Sequence, residues 1–381
     1  MSHKLILASA GAGKSQLIIN SSMKASAEEK KTLILTYTEN NQKELFYKIC
    51  AINNYCSSNI VIKGWFTFLL EDIIRPYQSC IFKNRIPGIF FNQSDPHKRN
   101  GQTIPGRSEK TRNGGYNSLY YLTRNENRAH TTFISKLASR VCKEAKRKPI
   151  GRISEIYDSV LIDEVQDLVG WDFDVIGNLA NSDNLSLICV GDFRQTIYTT
   201  HTGTKQPKTN AQKLEKFKSF GFVPEHLNIS WRCIQSICDF GDLVHNSENI
   251  YLKTVSQIDQ IPEEYIAHNG VFMLSLTNAL TYLNTFKPVI LRATKNSQKN
   301  LCKGYRAINF GASKGLGFDR ILIVTTEKQK QFLRGNHNIF DGGKTDKAKN
   351  AFYVAITRAR FSVAFLYDGD NNFQGIPEWI P

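Results

Sequence analysis

Lys14 and Ser15 follow a run of small residues, Ala8-Ser9-Ala10-Gly11-Ala12-Gly13, which itself follows the apolar Leu5-Ile6-Leu7. A strand, a glycine-containing loop and a helix opening on Lys-Ser make a cradle for phosphate. Small side chains let backbone N–H groups close around the oxygens, and the helix N-terminus adds positive potential. In such a loop Lys14 reaches the β- and γ-phosphates and Ser15 holds Mg²⁺, while Ala10, Gly11, Ala12 and Gly13 supply the backbone. Ala8 stands where the usual pattern has its first glycine. The plainer alternative is a small-residue turn with a chance lysine; the strand before and the apolar helix after it argue against that.

A second group of reactive residues ends another apolar run, Val160-Leu161-Ile162-Asp163-Glu164. At a strand tip one carboxylate, Asp163, can hold Mg²⁺ while the next, Glu164, orients and deprotonates an attacking water. An acidic surface turn is the competing reading. The run Ile188-Cys189-Val190-Gly191-Asp192-Phe193-Arg194-Gln195 ends in a glutamine that could bond a water or a γ-phosphate oxygen.

These tips need strands beneath them. Lys4–Ile6, Thr32–Leu35, Val160–Ile162 and Leu185–Val190 read as buried strands, with helices over 38–50, 65–74 and 171–179. Strands recur at Pro288–Leu291, Ala307–Phe310, Ile321–Val324 and Ser362–Tyr367. The alternation predicts an α/β fold of two parallel-sheet domains. The expected boundaries are 1–77 plus 151–209 for the first domain, 78–150 for an insertion, and 210–381 for the second. Ser79 to about Asn125 is polar and rich in glycine, and reads as a long or partly disordered loop. Thr131 to Arg147 reads as a helix with Phe133, Leu137 and Val141 on one side.

The 381 residues carry 49 Lys/Arg against 34 Asp/Glu, a net charge of +15. Between Ile81 and Arg152 there are 16 Lys/Arg and four Asp/Glu, so most of the excess lies in the insertion. A basic nucleotide-binding chain points to a polyanionic partner, and a solvated basic surface is the bland alternative. No run of 18 apolar residues marks a membrane span, and no signal peptide precedes the first strand. The eight cysteines include no C-x-x-C pair; reduced thiols in a cytoplasmic protein are expected.

Taken in order, the motifs resemble those of the superfamily 1A helicases of UvrD/Rep type over nearly the whole chain. Ala8 to Ser15 is similar to motif I, Leu35 to Asn40 to motif Ia, and Gly64 to Leu69 to motif Ib. Asp163 to Asp167 resembles motif II and Val190 to Tyr198 motif III. Leu227 to Arg232 resembles motif IV, Ala312 to Asp319 motif V, and Tyr353 to Arg360 motif VI. The resemblance implies two RecA-like domains that hydrolyse ATP with Mg²⁺ at the cleft between them. Glu164 would be the base, and Gln195, Arg232 and Arg358 would contact the γ-phosphate. Trp231 would stack on adenine, and Gly315 would lie at the nucleotide. Thr36, Tyr37, Asn40, Phe68 and Tyr198 would contact single-stranded DNA; for Phe68, core packing is an equal alternative.

Some positions depart from the family. Nothing upstream of Leu5 supplies a glutamine motif. Thr199-Thr200-His201 follows Tyr198, and Gly311 and Gly317 stand where motif V has a histidine and a glutamate. Arg232 and Lys314 are separated by only about 80 residues, too few for a large inserted 2B domain. The resemblance therefore implies a compact single-stranded DNA translocase or helicase, of the sort met in bacterial or phage DNA repair or antiviral defence. The alternative is a DNA- or nucleotide-sensing ATPase subunit that regulates a partner nuclease without unwinding. RNA in place of DNA is a weaker third reading.

Overall fold

A computed structural model describes residues 3–53, 57–197, 205–247, 250–341, 346–369, 373 and 375–381. The chain divides into two compact units. The first is Met1–Ile6, Lys14–Gly191 and Thr199–Glu225; the second is Leu7–Gly13, Asp192–Tyr198 and His226–Pro381.

The first unit begins with β1 (His3–Ala8), α1 (Lys14–Ala27), β2 (Thr32–Thr36), α2 (Glu39–Asn53), β3 (Ile60–Gly64) and the short α3 (Trp65–Phe68), prolonged as a wide turn over Leu69–Ile74. Small elements follow: β4 (Ile89–Phe90), β5 (Lys98–Arg99), β6 (Gln102–Thr103), α4 (Ser118–Tyr121) and β7 (Ala129–His130). Then come α5 (Thr131–Glu144), α6 (Lys148–Ile156), β8 (Ser159–Ile162), α7 (Trp171–Ala180), β9 (Ser186–Gly191), α8 (Asn210–Ser219) and β10 (Phe222–Leu227). The main sheet has the order β10-β1-β9-β8-β2-β3. β2 runs parallel to β3 and to β8, and β8 parallel to β9. Leu33, Ile34 and Leu35 are fully buried, as expected for a strand covered on both faces.

The polar stretch from Ser79 to Asn125 carries defined short elements. Glu109 organises part of it, accepting from Arg140 Nε and Tyr121 Oη at 2.7 Å each and pairing with Lys136 at 2.7 Å. Burial alone would raise its pKa, but Arg140, Lys136 and Tyr121 hold it down to about 2. Helix α5 packs inward through Ile134, Leu137, Ala138 and Val141. Its Ser135 hydroxyl donates to the buried Asp172 of α7, as does Trp65 Nε1 at 2.8 Å. Arg147 donates to the carbonyls of Asn178 and Asn181 at the C-terminal end of α7, where a cation suits the helix dipole.

The second unit continues with β11 (Ile229–Ser230), α9 (Gln235–Leu243), β12 (Val255–Ser256), α10 (Glu263–Ile266), β13 (Gly270–Ser275), α11 (Ala279–Phe286), β14 (Val289–Arg292) and β15 (Ala307–Asn309). It ends with β16 (Phe318–Val324), α12 (Glu327–Leu333), α13 (Lys347–Ile356) and β17 (Ala359–Tyr367). Its sheet, β13-β17-β16-β14-β15, is parallel throughout. β17 lies inside the sheet and is buried at every residue except Arg360. The whole is an α/β protein with two RecA-like parallel-sheet units.

Among the described residues six cysteines are free, five of them buried and Cys80 exposed. Cys50 is disulfide-bonded, so a wholly reduced set does not hold. No helix among the described residues is long and apolar enough to cross a membrane.

Candidate nucleotide and nucleic-acid site

In the first unit α1 starts at Lys14, directly after the small-residue loop, with no acidic residue in its first turn. Lys14 and Ser15 are half-buried. Among the described residues Lys14 has no carboxylate partner. On β8 the chain turns sharply after Asp163. Glu164 adopts the left-handed conformation at φ +52°, which costs a non-glycine residue about 1–3 kcal/mol. Local bonds hold it there. Its own N–H donates to Asp163 Oδ1 at 2.9 Å, and Gln166 Nε2 donates to its carboxylate. Gln166 in turn fits because position 191 is glycine: a Cβ there would stand 2.4 Å from Gln166 Oε1. In the sheet β9 lies between β1 and β8.

The second unit holds the rest of the loop, residues 7–13, together with motif III from Asp192 onward and motifs IV to VI. Gly11 has φ +73°, and a Cβ on it would meet Arg232 Cβ at 2.5 Å. Trp231 N–H donates to Gly11 O at 3.0 Å, and Ser230 Oγ donates to Ala10 O at 2.9 Å. Ala10 N–H donates to Tyr353 Oη at 3.3 Å. The loop backbone is thus stitched to motif IV and motif VI residues. The Trp231 ring is 67% exposed, as a stacking surface would be. Gly315 is exposed, with φ +86°.

A buried polar chain runs behind this loop. Arg358 Nη2 donates to Gln195 Oε1 at 3.3 Å, and Gln195 Nε2 donates to Asp192 Oδ2 at 2.7 Å. Asp192 also accepts from Tyr353 Oη at 3.4 Å and from Arg194 N at 3.1 Å. Arg194 reaches Asp242 at 2.8 Å and Ser9 Oγ at 2.7 Å. Burial disfavours its charge, but Tyr353, Asp192 and Asp242 more than offset that, and its pKa is raised.

Arg358 is treated differently. It is 1% exposed, and its remaining bonds go to the carbonyls of Val354 and Leu316 and weakly to Thr357 Oγ1. Among the described residues no carboxylate pairs with it. Burial, then the Arg232 charge, lower its pKa to about 9. The Arg232 guanidinium donates to Thr357 O at 3.4 Å, and it too has no carboxylate partner among the described residues. Two adjacent guanidiniums without a counter-charge favour an anion, and their forks match phosphate oxygens.

Of the nucleic-acid candidates, Asn40 is exposed and Tyr37 half-buried, its ring edge-on to Phe66 at 5.6 Å. Thr36 and Phe68 are buried and offer no side-chain surface to a nucleic acid. Phe68 packs against Trp65 in the core. Tyr198 lies outside the described residues. Sequence reasoning gave no role to Gln166, Tyr353, Arg194 or Asp242. Tyr353 and Arg194 lie inside motifs VI and III. Asp242 stands in α9 with no local signal.

No group of three or more His, Cys, Asp or Glu among the described residues could hold a metal ion.

Parallel sheets in both units, with a glycine loop before a Lys-Ser helix and an Asp-Glu pair at a strand tip, define an α/β protein of RecA-like class. Residues 89–218 match the family model of the UvrD/REP helicase N-terminal domain. The match covers 130 of the chain's 381 residues. No curated protein matches the sequence. Among solved structures the chain is similar to an Arterivirus nonstructural protein 10 (helicase) determined in complex with DNA. The TM-score is 0.44 and the identity 10%, over 96% of this chain and 60% of that one. The chain thus spans less than two thirds of that relative's length.

Proposed function

We propose that this chain hydrolyses ATP with Mg²⁺ and couples the hydrolysis to movement along single-stranded DNA. The observation that carries the reading is the pair Arg232 and Arg358. Both belong to the unit that holds residues 7–13 of the phosphate loop, and neither has a carboxylate partner among the described residues. In the reaction Lys14 and the loop N–H groups hold the β- and γ-phosphates, and Ser15 and Asp163 hold Mg²⁺. Glu164 takes a proton from the attacking water, whose oxygen bonds to the γ-phosphorus as the bond to the β–γ bridging oxygen breaks. Arg232 and Arg358 balance the charge that develops, and Gln195 fixes the Arg358 fork. Trp231 offers its exposed ring to the base. Tyr37 and Asn40 face the nucleic acid.

The reading is tested by measuring ATP hydrolysis with and without single-stranded DNA, then strand displacement from a tailed duplex. Stimulated turnover with displacement is expected. Glu164→Gln should lose turnover by at least about 10²-fold, the lower end of what a general base contributes, yet still bind ATP and DNA. Near-normal turnover in Glu164→Gln would overturn the assignment of the base. Turnover without displacement would favour a sensing ATPase that acts on a partner nuclease.

A further inference from the structure

The basic insertion holds a cleft of about 700 Å³ that no motif of the sequence assigns. We infer that it receives an unpaired nucleotide of a single-stranded nucleic acid, with Phe91 as stacking platform and Lys98, Arg107 and Arg124 as phosphate partners. The inference rests on the nucleic-acid reading above and names a site for it.

Two observations carry it. Phe91 is 69% exposed and Phe90 43%, two adjacent rings at the mouth of a cleft in a charged segment. Phe91 is not isolated: its ring meets Phe66 edge-on at 6.1 Å, and Phe66 meets Tyr37. These edge-on contacts anchor Phe91 through the buried Phe66 and leave most of its ring exposed for a base to stack on.

The charges complete the match. Lys98, Arg107 and Arg124 have no carboxylate partner among the described residues. The two acids of the lining are engaged: Asp95 accepts from His97 N at 2.9 Å, and Glu126 pairs with Arg128 at 3.0 Å.

The test is fluorescence anisotropy of a labelled oligothymidylate, without ATP, on the whole chain. Stacking is worth about 1–3 kcal/mol per base, so Phe91→Ala should weaken binding by about 5- to 100-fold. The same variant should bind an abasic oligodeoxynucleotide as the wild type does. Phe91→Trp should retain affinity, with indole emission quenched on binding. Arg124→Gln should weaken both probes. Failure of the wild type to bind either probe overturns the nucleic-acid reading and this site with it. Tight binding by the wild type that Phe91→Ala leaves unchanged, or an unquenched Phe91→Trp complex, overturns the cleft alone. The exposure of Phe91 keeps these variants folded, which thermal melting checks.

Discussion

Replacing Gly11 by alanine should disable the phosphate loop through the arginine segment packed on it. Two effects add. The backbone at φ +73° costs an L-residue about 1–2 kcal/mol. The new methyl would also stand 2.5 Å from Arg232 Cβ and 3.0 Å from Ser230 Oγ. Ordinary carbon contact begins near 3.5 Å, so the Arg232 segment must retreat by about 1 Å. That movement strains the bonds from Trp231 N to Gly11 O and from Ser230 Oγ to Ala10 O, each worth about 1 kcal/mol. The sum is about 3 kcal/mol, and a shift of 1 Å at a reacting group is worth about 10²-fold in rate. Gly304→Ala is the control. It has φ +87° with nothing within 4 Å of its added methyl, so it carries the strain without the clash. Steady-state ATP hydrolysis and thermal melting of the two variants separate the effects. Gly304→Ala should lose a few degrees and no turnover; Gly11→Ala should lose both. A Gly11→Ala protein that melts with Gly304→Ala and turns over normally would refute the reasoning, because Arg232 would then not depend on the loop.

Two further outcomes are expected. Asp242→Ala removes a carboxylate 2.8 Å from the buried Arg194 and the acceptor of Thr254 N and Thr254 Oγ1. Arg194 keeps Asp192 at 3.4 Å, so the cost should fall below the ~3–5 kcal/mol of a fully unpaired buried charge, measured by denaturant unfolding, with Asp242→Asn losing less. Replacing Lys143, Lys146 and Lys148 together by glutamine should flatten the salt dependence of single-strand binding by up to about two units of log–log slope. These lysines are exposed and have no carboxylate partner among the described residues, whereas Arg147 is engaged in capping α7. An unchanged slope would return them to ordinary solvated surface.

The strands were legible because they are apolar runs. Thr32–Leu35 and Val160–Ile162 each fall inside an observed strand, and the same holds for the predicted strands of the second unit except Ala307–Phe310 and Pro288–Leu291, which overrun by one residue. β3 and β13 were not predicted; β3 is only half-buried over most of its length, which blurs its pattern. The polar stretch before Asn125 looked unstructured because hydropathy does not register side-chain bonds. Glu109, Arg140 and Tyr121 are far apart in sequence, and only their meeting gives that segment its shape. Lys14, Asp163 and Glu164 could be singled out because strand-to-loop motifs are local. The chain Arg358–Gln195–Asp192–Arg194–Asp242 spans elements distant in sequence, and no local pattern marks its last member. Thr36 and Phe68 show the limit of position within a motif, since a strand tip and a short helix can each turn a side chain inward.

The backbone at Glu164 has one more consequence. A glycine there would relieve the left-handed strain and firm up the fold by about 1 kcal/mol, while removing the acid from the tip of β8. On the mechanism proposed above, stability and chemistry therefore pull residue 164 in opposite directions. A screen for hardier variants of this protein, run without regard to turnover, should find that replacement among its winners and lose the proposed hydrolysis in doing so.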